Sequence, residues 1–322
     1  MWSYRLVAPY TFERRELPER SPESLSLGEV LLRFLAAGIC GSDVPAFRGT
    51  KGRLPGDTGT SAAEMDGFPI HEIVGEVLAS RHPEHRQGDR VVGWASGFDG
   101  LMQLVVADGN GLAAYHPALS PEHAVCLQPL ACVLYAVQQL PNLKDCHVAV
   151  LGQGSIGLLF SFVAKASGAA YVTGVDPVDR DAVGKLFGVD NIVRATSDRW
   201  VSHLTLDDRP DIVIEAVGHQ VATLTDAVKA AAFGGTVFYF GVPDDESYPI
   251  SMRTMLRNNL TLKSGVTRDR RRVLAAAGDF AHEHPDLLSN YLTHTFAVQE
   301  VQAAFELACR PTPERVKIAI VE

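Results

Sequence analysis

Two sets of residues in this chain have types and spacing that could do chemistry. Gly152-Gln153-Gly154-Ser155-Ile156-Gly157 is G-x-G-x-x-G, a backbone pattern suited to a pyrophosphate. Its first glycine permits a tight turn, and its second lets the backbone approach the phosphates. Its third lets a helix pack closely on a strand, with the helix N–H groups facing the ligand. Asp176 ends the following strand, where a carboxylate would accept hydrogen bonds from an adenosine ribose and repel a 2′-phosphate. NAD is therefore expected in preference to NADP, although Arg180 could attract a phosphate and Asp176 could be a solvated loop carboxylate. Far upstream, Cys40-Gly41-Ser42-Asp43 and His71-Glu72 bring a thiol, a hydroxyl, two carboxylates and an imidazole. Each alone is ordinary, because a single buried cysteine is usually core and a single histidine is usually satisfied by a neighbour.

The elements that must position these residues follow two patterns. In LSLGEVLLRFLAAGIC, ending at Cys40, apolar residues alternate after a glycine and run into a small-residue turn, as a strand entering a loop does. IHEIVGEVLAS (70–80) and DRVVGWAS (89–96) read as a further strand pair joined by HPEHRQG, and MWSYRLVAPYTFERREL opens as a strand without a leader peptide's apolar core. PEHAVCLQPLACVLYAVQQ (121–139) changes to three- and four-residue spacing behind Ser120-Pro121 and predicts one helix. From 147, HVAVLG, the glycine turn, LLFSFVAKASGA and YVTGVD make a strand–helix–strand unit. DIVIEAVG, TLTDAVKAAAFGG, TVFYFGVP and LTLKSGV continue the alternation, which predicts a doubly wound parallel sheet. After Arg268 come two predicted helices, RRRVLAAAGDFAHEH and VQEVQAAFELAC, and a closing strand, VKIAIVE. These are too few for a domain and are expected to pack on the β-rich first part.

The chain's 322 residues leave room for two domains of usual size. A composition that is 46% hydrophobic and 21% charged is that of a soluble globular protein. No run approaches the roughly 18 apolar residues of a membrane span, so no membrane partner and a cytoplasmic location are expected. With 38 acidic against 29 basic residues and a net charge of −9, the footprint of nucleic-acid binding is missing. Small molecules or other proteins are the expected partners. Five scattered cysteines without a C-x-x-C pair argue against a disulfide framework and against an all-cysteine metal site.

GICGSD, IHEIVGEV, GDRVVG, LQPLACVLYAV, VLGQGSIG and VDP occur in the order and with the chemistry of the zinc-containing medium-chain alcohol dehydrogenase family. The chain resembles that family from end to end, and most of all its polyol, sugar and threonine dehydrogenase branch. The resemblance implies an α/β fold in which a Rossmann NAD-binding domain (142–267) interrupts a GroES-like catalytic domain (1–141 plus 268–322), with the active site in the cleft. It implies that Cys40 and His71 hold a catalytic zinc and that Asp43 orients the His71 imidazole. Glu72 would be a fourth ligand, or a group beside the metal that exchanges with substrate or water. Ser42 would take the proton of the substrate hydroxyl. Gln128 stands where relatives carry a Glu, Asp or Cys ligand, and its amide oxygen is a weaker but usable donor. Ser155, Ile156, Val217 and Gly241 join the three glycines, Asp176 and Arg180 as the expected nucleotide-binding set.

The chain also departs from the family pattern. Ile70 replaces the usual Gly, and Pro45 stands where many relatives place a relay histidine, so protons must leave by another route. WASGFDGLMQLVV crosses the region of the structural-zinc lobe without a cysteine, so one zinc at most is expected. The polar stretch GTKGRLPGDTGTSAAEMDGF (49–68) reads either as a substrate-selecting lid or as a tolerated insertion, while Trp94 and Phe98 could line an apolar wall. The expected activity is NAD-linked oxidation of a secondary alcohol, of polyol, cyclitol or sugar type, or reduction of the matching ketone. A homodimer or homotetramer joined through TLKSGV is expected by analogy. Two alternatives stay open: a metal-free reductase of the same superfamily, and a non-catalytic NAD-binding protein, which would leave Cys40, Ser42, His71 and Glu72 unexplained.

Overall fold

In chain order the elements are β1 (Trp2–Ala8), β2 (Thr11–Glu16), β3 (Glu29–Ile39), α1 (Asp43–Phe47), β4 (Glu72–Ser80), β5 (Arg90–Trp94), β6 (Leu104–Asp108), β7 (Leu112–Ala114), α2 (Pro121–Ala124) and α3 (Leu127–Val137). There follow β8 (His147–Leu151), α4 (Ser155–Ala166), β9 (Tyr171–Asp176), α5 (Asp181–Leu186), β10 (Asn191–Arg194), α6 (Ser197–His203), β11 (Ile212–Glu215), α7 (Val221–Ala230), β12 (Thr236–Tyr239), α8 (Met252–Arg257) and β13 (Thr261–Ser264). The last are α9 (Arg270–Glu283), α10 (Asp286–Tyr291), β14 (Leu292–Ala297), α11 (Val301–Ala308) and β15 (Lys317–Val321). This computed structural model describes residues 1–49 and 65–322, so most of the stretch considered as a lid lies outside the described residues. No helix among the described residues is long and apolar enough to cross a membrane.

The chain forms two compact units. One comprises Met1–Ala131, Arg268–Arg310 and Arg315–Glu322, and the other Cys132–Thr267 with Pro311–Glu314. In the first, the strand order is β14-β15-β3-β4-β5-β7, with β6 also paired to β3. The tail strand β15 lies antiparallel to β3, with Ile318 opposite Ile39, while Gly38 of β3 lies opposite Glu72 of β4. These two registers bring the end of β3, the start of β4 and the start of β15 to one place. Phe34, Phe47, Ile73, Phe305 and Ile320 are in the core beneath. In the second unit the sheet order is β10-β9-β8-β11-β12-β13, all parallel. Renumbered within the unit this is 3-2-1-4-5-6, the order whose strand C-termini receive a dinucleotide. Its central strands read HVAVL, IVIE and TVFY because both faces of a parallel sheet are covered.

Three local expectations change. The opening strand is a hairpin, β1 against β2, with Ala8 opposite Thr11. The helix expected over 121–139 is two helices, α2 and α3. Pro129 has no N–H to give the Val125 carbonyl, which instead receives the Gln128 N–H at 3.2 Å, and the helical ladder breaks there. The tail also holds a strand, β14, that was not anticipated. It pairs in parallel with β15, and its half-buried LTHTFA lacks a clear two-residue alternation.

Candidate functional site

Strand β3 ends at Ile39, and Cys40 opens a turn that Asp43 closes with its own side chain. The Cys40 N–H donates to Asp43 Oδ2 at 2.8 Å and the Asp43 N–H donates to the Cys40 carbonyl at 3.1 Å. The other carboxylate oxygen of Asp43 lies 3.1 Å from His71 Nδ1. That contact fixes the imidazole and leaves Nε2 for a third party. The Phe98 ring sits against His71, with centroids 5.4 Å apart. One ligating atom from each of Cys40, His71 and Glu72 lies within 4.8 Å of the others, and this is the cluster of such residues found among the described residues. Thiolate, imidazole and carboxylate are the donors zinc takes. An imidazole backed by a carboxylate is also how metal-ligating histidines are usually oriented, so the residues fit a zinc ion. In the absence of a cation, burial opposes a charged His71, but Asp43 and Cys40 outweigh it and raise the imidazole well above its ordinary range. Metal binding to such donors is coupled to proton release.

The largest surprise at this site is Lys317, which the sequence reading did not select. Its Nζ donates to Glu72 Oε2 at 2.5 Å and to the Ile39 carbonyl at 2.9 Å, and both side chains are 1% exposed. Burial pushes an ammonium toward neutrality, but Glu72 and Cys40 beside it reverse that and hold Lys317 above its usual value. A Cβ on Gly38 would lie 2.3 Å from Glu72 Oε2 and 3.1 Å from Lys317 Cε, so the glycine makes room for the pair. The available signal was a lone charge in VKIAIV: a lysine starting a buried central strand requires a buried partner. Cys126 is close enough to sense both charges. Burial pushes its thiol up to about 12, and it is not among the clustered donors. Gln128 is buried two residues further on, in the first turn of α3. Ser42, half-buried, precedes α1 without capping it. Ile70 is core, its Cγ2 filling the space where a Gly100 side chain would go.

In the other unit, the turn after β8 is shaped by what its glycines omit. A Cβ on Gly157 would lie 1.7 Å from the Gly152 carbonyl oxygen, so α4 approaches the turn closely enough to exclude any side chain. Gly152 has φ +85° and faces Val217. Gly154 differs: its φ is −74° and a Cβ there would meet nothing within 4 Å. Neither backbone nor packing demands that glycine, and the open space over the start of α4 fits a pyrophosphate. Asp176 accepts the Gln153 N–H at 2.7 Å and the Val178 N–H at 2.8 Å, which ties it to the turn. Arg180 is buried, and its Nη1 donates to the Pro313 carbonyl at 2.8 Å. Ser155 and Ile156 start α4, while Val217 and Gly241 follow β11 and β12. Glu215, which the sequence reading passed over, ends β11 and accepts the N–H groups of Val217 and Gly218, each at 3.1 Å.

Residues 26–128 match the family described as "Alcohol dehydrogenase GroES-like domain", and residues 155–283 match "Zinc-binding dehydrogenase". The chain belongs to the zinc-type alcohol dehydrogenase family. Among its relatives is a sorbitol dehydrogenase of Bombyx mori, 28% identical over 321 residues, covering 87% of this chain and 88% of that protein. An L-arabinitol 4-dehydrogenase of Hypocrea jecorina is 26% identical over 345 residues, covering 94% and 87% respectively. A solved structure of an alcohol dehydrogenase from Thermus sp. ATN1 shares the fold with a TM-score of 0.82, at 24% identity and full coverage of both chains. As a zinc-type alcohol dehydrogenase this chain is an oxidoreductase of small-molecule alcohols, in a family that uses zinc and a nicotinamide dinucleotide.

Proposed function

We propose that this chain is an NAD-linked dehydrogenase of a polyol or similar secondary alcohol that works on a single zinc. The observation that carries the reading is the convergence of Cys40, His71 and Glu72 within 4.8 Å, with Asp43 behind His71. Cys40 and His71 would hold the metal, with Gln128 as a further donor and Glu72 beside it as a group that can exchange with substrate or water. When bound, the zinc would supply the Lewis acidity that lowers the pKa of an alcohol hydroxyl, and the nicotinamide the hydride acceptor. Ser42, whose hydroxyl does not cap its helix, takes the substrate proton. Asp43 keeps Nδ1 of His71 engaged and so would leave Nε2 for the metal. With Pro45 on α1, the proton leaves Ser42 by a path without a side-chain relay at that position.

Gly152, Gly154 and Gly157, with Ser155 and Ile156, would cradle the pyrophosphate, and Val217 and Gly241 would be further contacts to the nucleotide. Asp176 favours NAD by presenting a carboxylate to the ribose, and the engagement of Arg180 with Pro313 supports this, since its guanidinium is turned to a carbonyl. The polyol class rests on the sorbitol and arabinitol dehydrogenase relatives. The exposed edge strand β13 is where a homodimer would join. Metal analysis beside activity on a panel of polyols, cyclitols, sugars and amino alcohols, with NAD and NADP in parallel, tests the reading. We expect one zinc per chain, lost in Cys40→Ala together with turnover, and a preference for NAD. Activity that survives exhaustive removal of metal would replace it with a metal-free reductase.

A further inference from the structure

Lys317 occupies a place in the candidate centre that neither ligation nor proton transfer accounts for. Its ammonium and the Glu72 carboxylate are both sealed from water, 2.5 Å apart, and the Ile39 carbonyl takes a second N–H at 2.9 Å. A side chain at Gly38 would collide with both, so the pair occupies space that only a glycine leaves. A cation bound to Cys40 and His71 would draw on the same carboxylate, because Glu72 offers its oxygen within 4.8 Å of their ligating atoms. Two positive charges thus compete for one anion, and one of them is fixed to the backbone of β15.

We propose that Lys317 is a positioning residue: it holds Glu72 on its ammonium and off the metal, so that a coordination position stays open. This rests on the zinc reading above. Removing the orienting partner of a metal ligand ordinarily weakens metal binding by about 10–100-fold. Here the sign is reversed. Without Lys317 the buried carboxylate has no counter-ion and must find another. The nearest candidate is the metal at Cys40 and His71, which also escapes repulsion from the ammonium.

Cobalt(II) in place of zinc gives the test a readout independent of turnover. Wild-type protein is first titrated with Co(II) against a competing chelator; if it binds none at Cys40, the zinc reading itself fails and is distinguished from a failure of this proposal. Lys317→Met is then expected to bind Co(II) about tenfold or more tightly, with d–d bands shifted as an oxygen donor enters. Glu72→Gln on the wild-type background should leave the bands in place, and Lys317→Met with Glu72→Gln should restore them, this pair of changes also removing the unpaired charge should the single variant fold poorly. Lys317→Arg should retain the wild-type spectrum and affinity. Unchanged or weaker binding by a folded Lys317→Met, or a band shift in Glu72→Gln alone, would overturn the proposal.

Discussion

The two candidate sites of this chain are built by opposite means. The metal cluster is made of charge: Asp43, Glu72 and Lys317 are buried, His71 beside them is half-buried, and the buried charges are tolerable because each has a partner. The nucleotide turn is made of missing side chains, with carbonyls and N–H groups brought close because Gly152 and Gly157 have nothing to collide. The difference teaches what each site can tolerate. A charge cluster fails when one partner is neutralised, even by a side chain of the same shape. A glycine turn is indifferent to charge and fails on a single methyl group.

Breaking the charge cluster should have the largest effect. Glu72→Ala strands the Lys317 ammonium in the core, and urea unfolding of the metal-free protein should show a loss of about 3–5 kcal/mol; a loss under about 1 kcal/mol would mean that water reaches Lys317. On the glycine side, Gly157→Ala should lower stability by about 1–3 kcal/mol through overpacking, because the new methyl has the Gly152 carbonyl in its place. Gly154→Ala should leave unfolding unchanged, yet weaken NAD binding about tenfold by titration calorimetry, since the space it fills is free in the chain and needed by the phosphates. Equal effects at the two glycines would remove the distinction. Asp43→Asn keeps the shape of the cluster and removes its charge, and zinc affinity should fall by about 10-fold or more in a chelator competition.

The smallest effect expected is at Glu215, a fully buried carboxyl of the nucleotide unit. Burial outweighs the N–H groups it accepts and raises its carboxyl above the ordinary 4.5. Since the folded-state value is the higher one, its favourable contribution is present below pH 4.5 and is lost as pH rises through the raised value. Glu215→Gln does not titrate, so its melting temperature relative to wild type should climb as pH is taken from about 4.5 toward neutrality. A constant difference across that range would show that Glu215 stays hydrated.

The same contrast decides what could be read from the sequence. The glycine turn is contiguous, and its meaning depends only on the strand before it and the helix after it, so Gly152, Gly154, Gly157 and Asp176 stood out together. The cluster is assembled by pairing. Cys40 and His71 took meaning from a family pattern, but the partner of Glu72 lies 245 residues away. No local spacing links them. Only the registers of β15 on β3 and β3 on β4 do so, and those follow from a sheet order that the sequence leaves open. Similarly, the break between α2 and α3 was written in Pro129, whose missing N–H counts for more than the apolar spacing around it.

The separation between Glu72 and Lys317 also has a meaning in time. A ribosome releases residue 72 long before residue 317, so the carboxylate waits through most of synthesis for its cation. When β15 takes its place between β14 and β3, its lysine closes on Glu72. The order of synthesis is thus also the order in which the two buried charges meet.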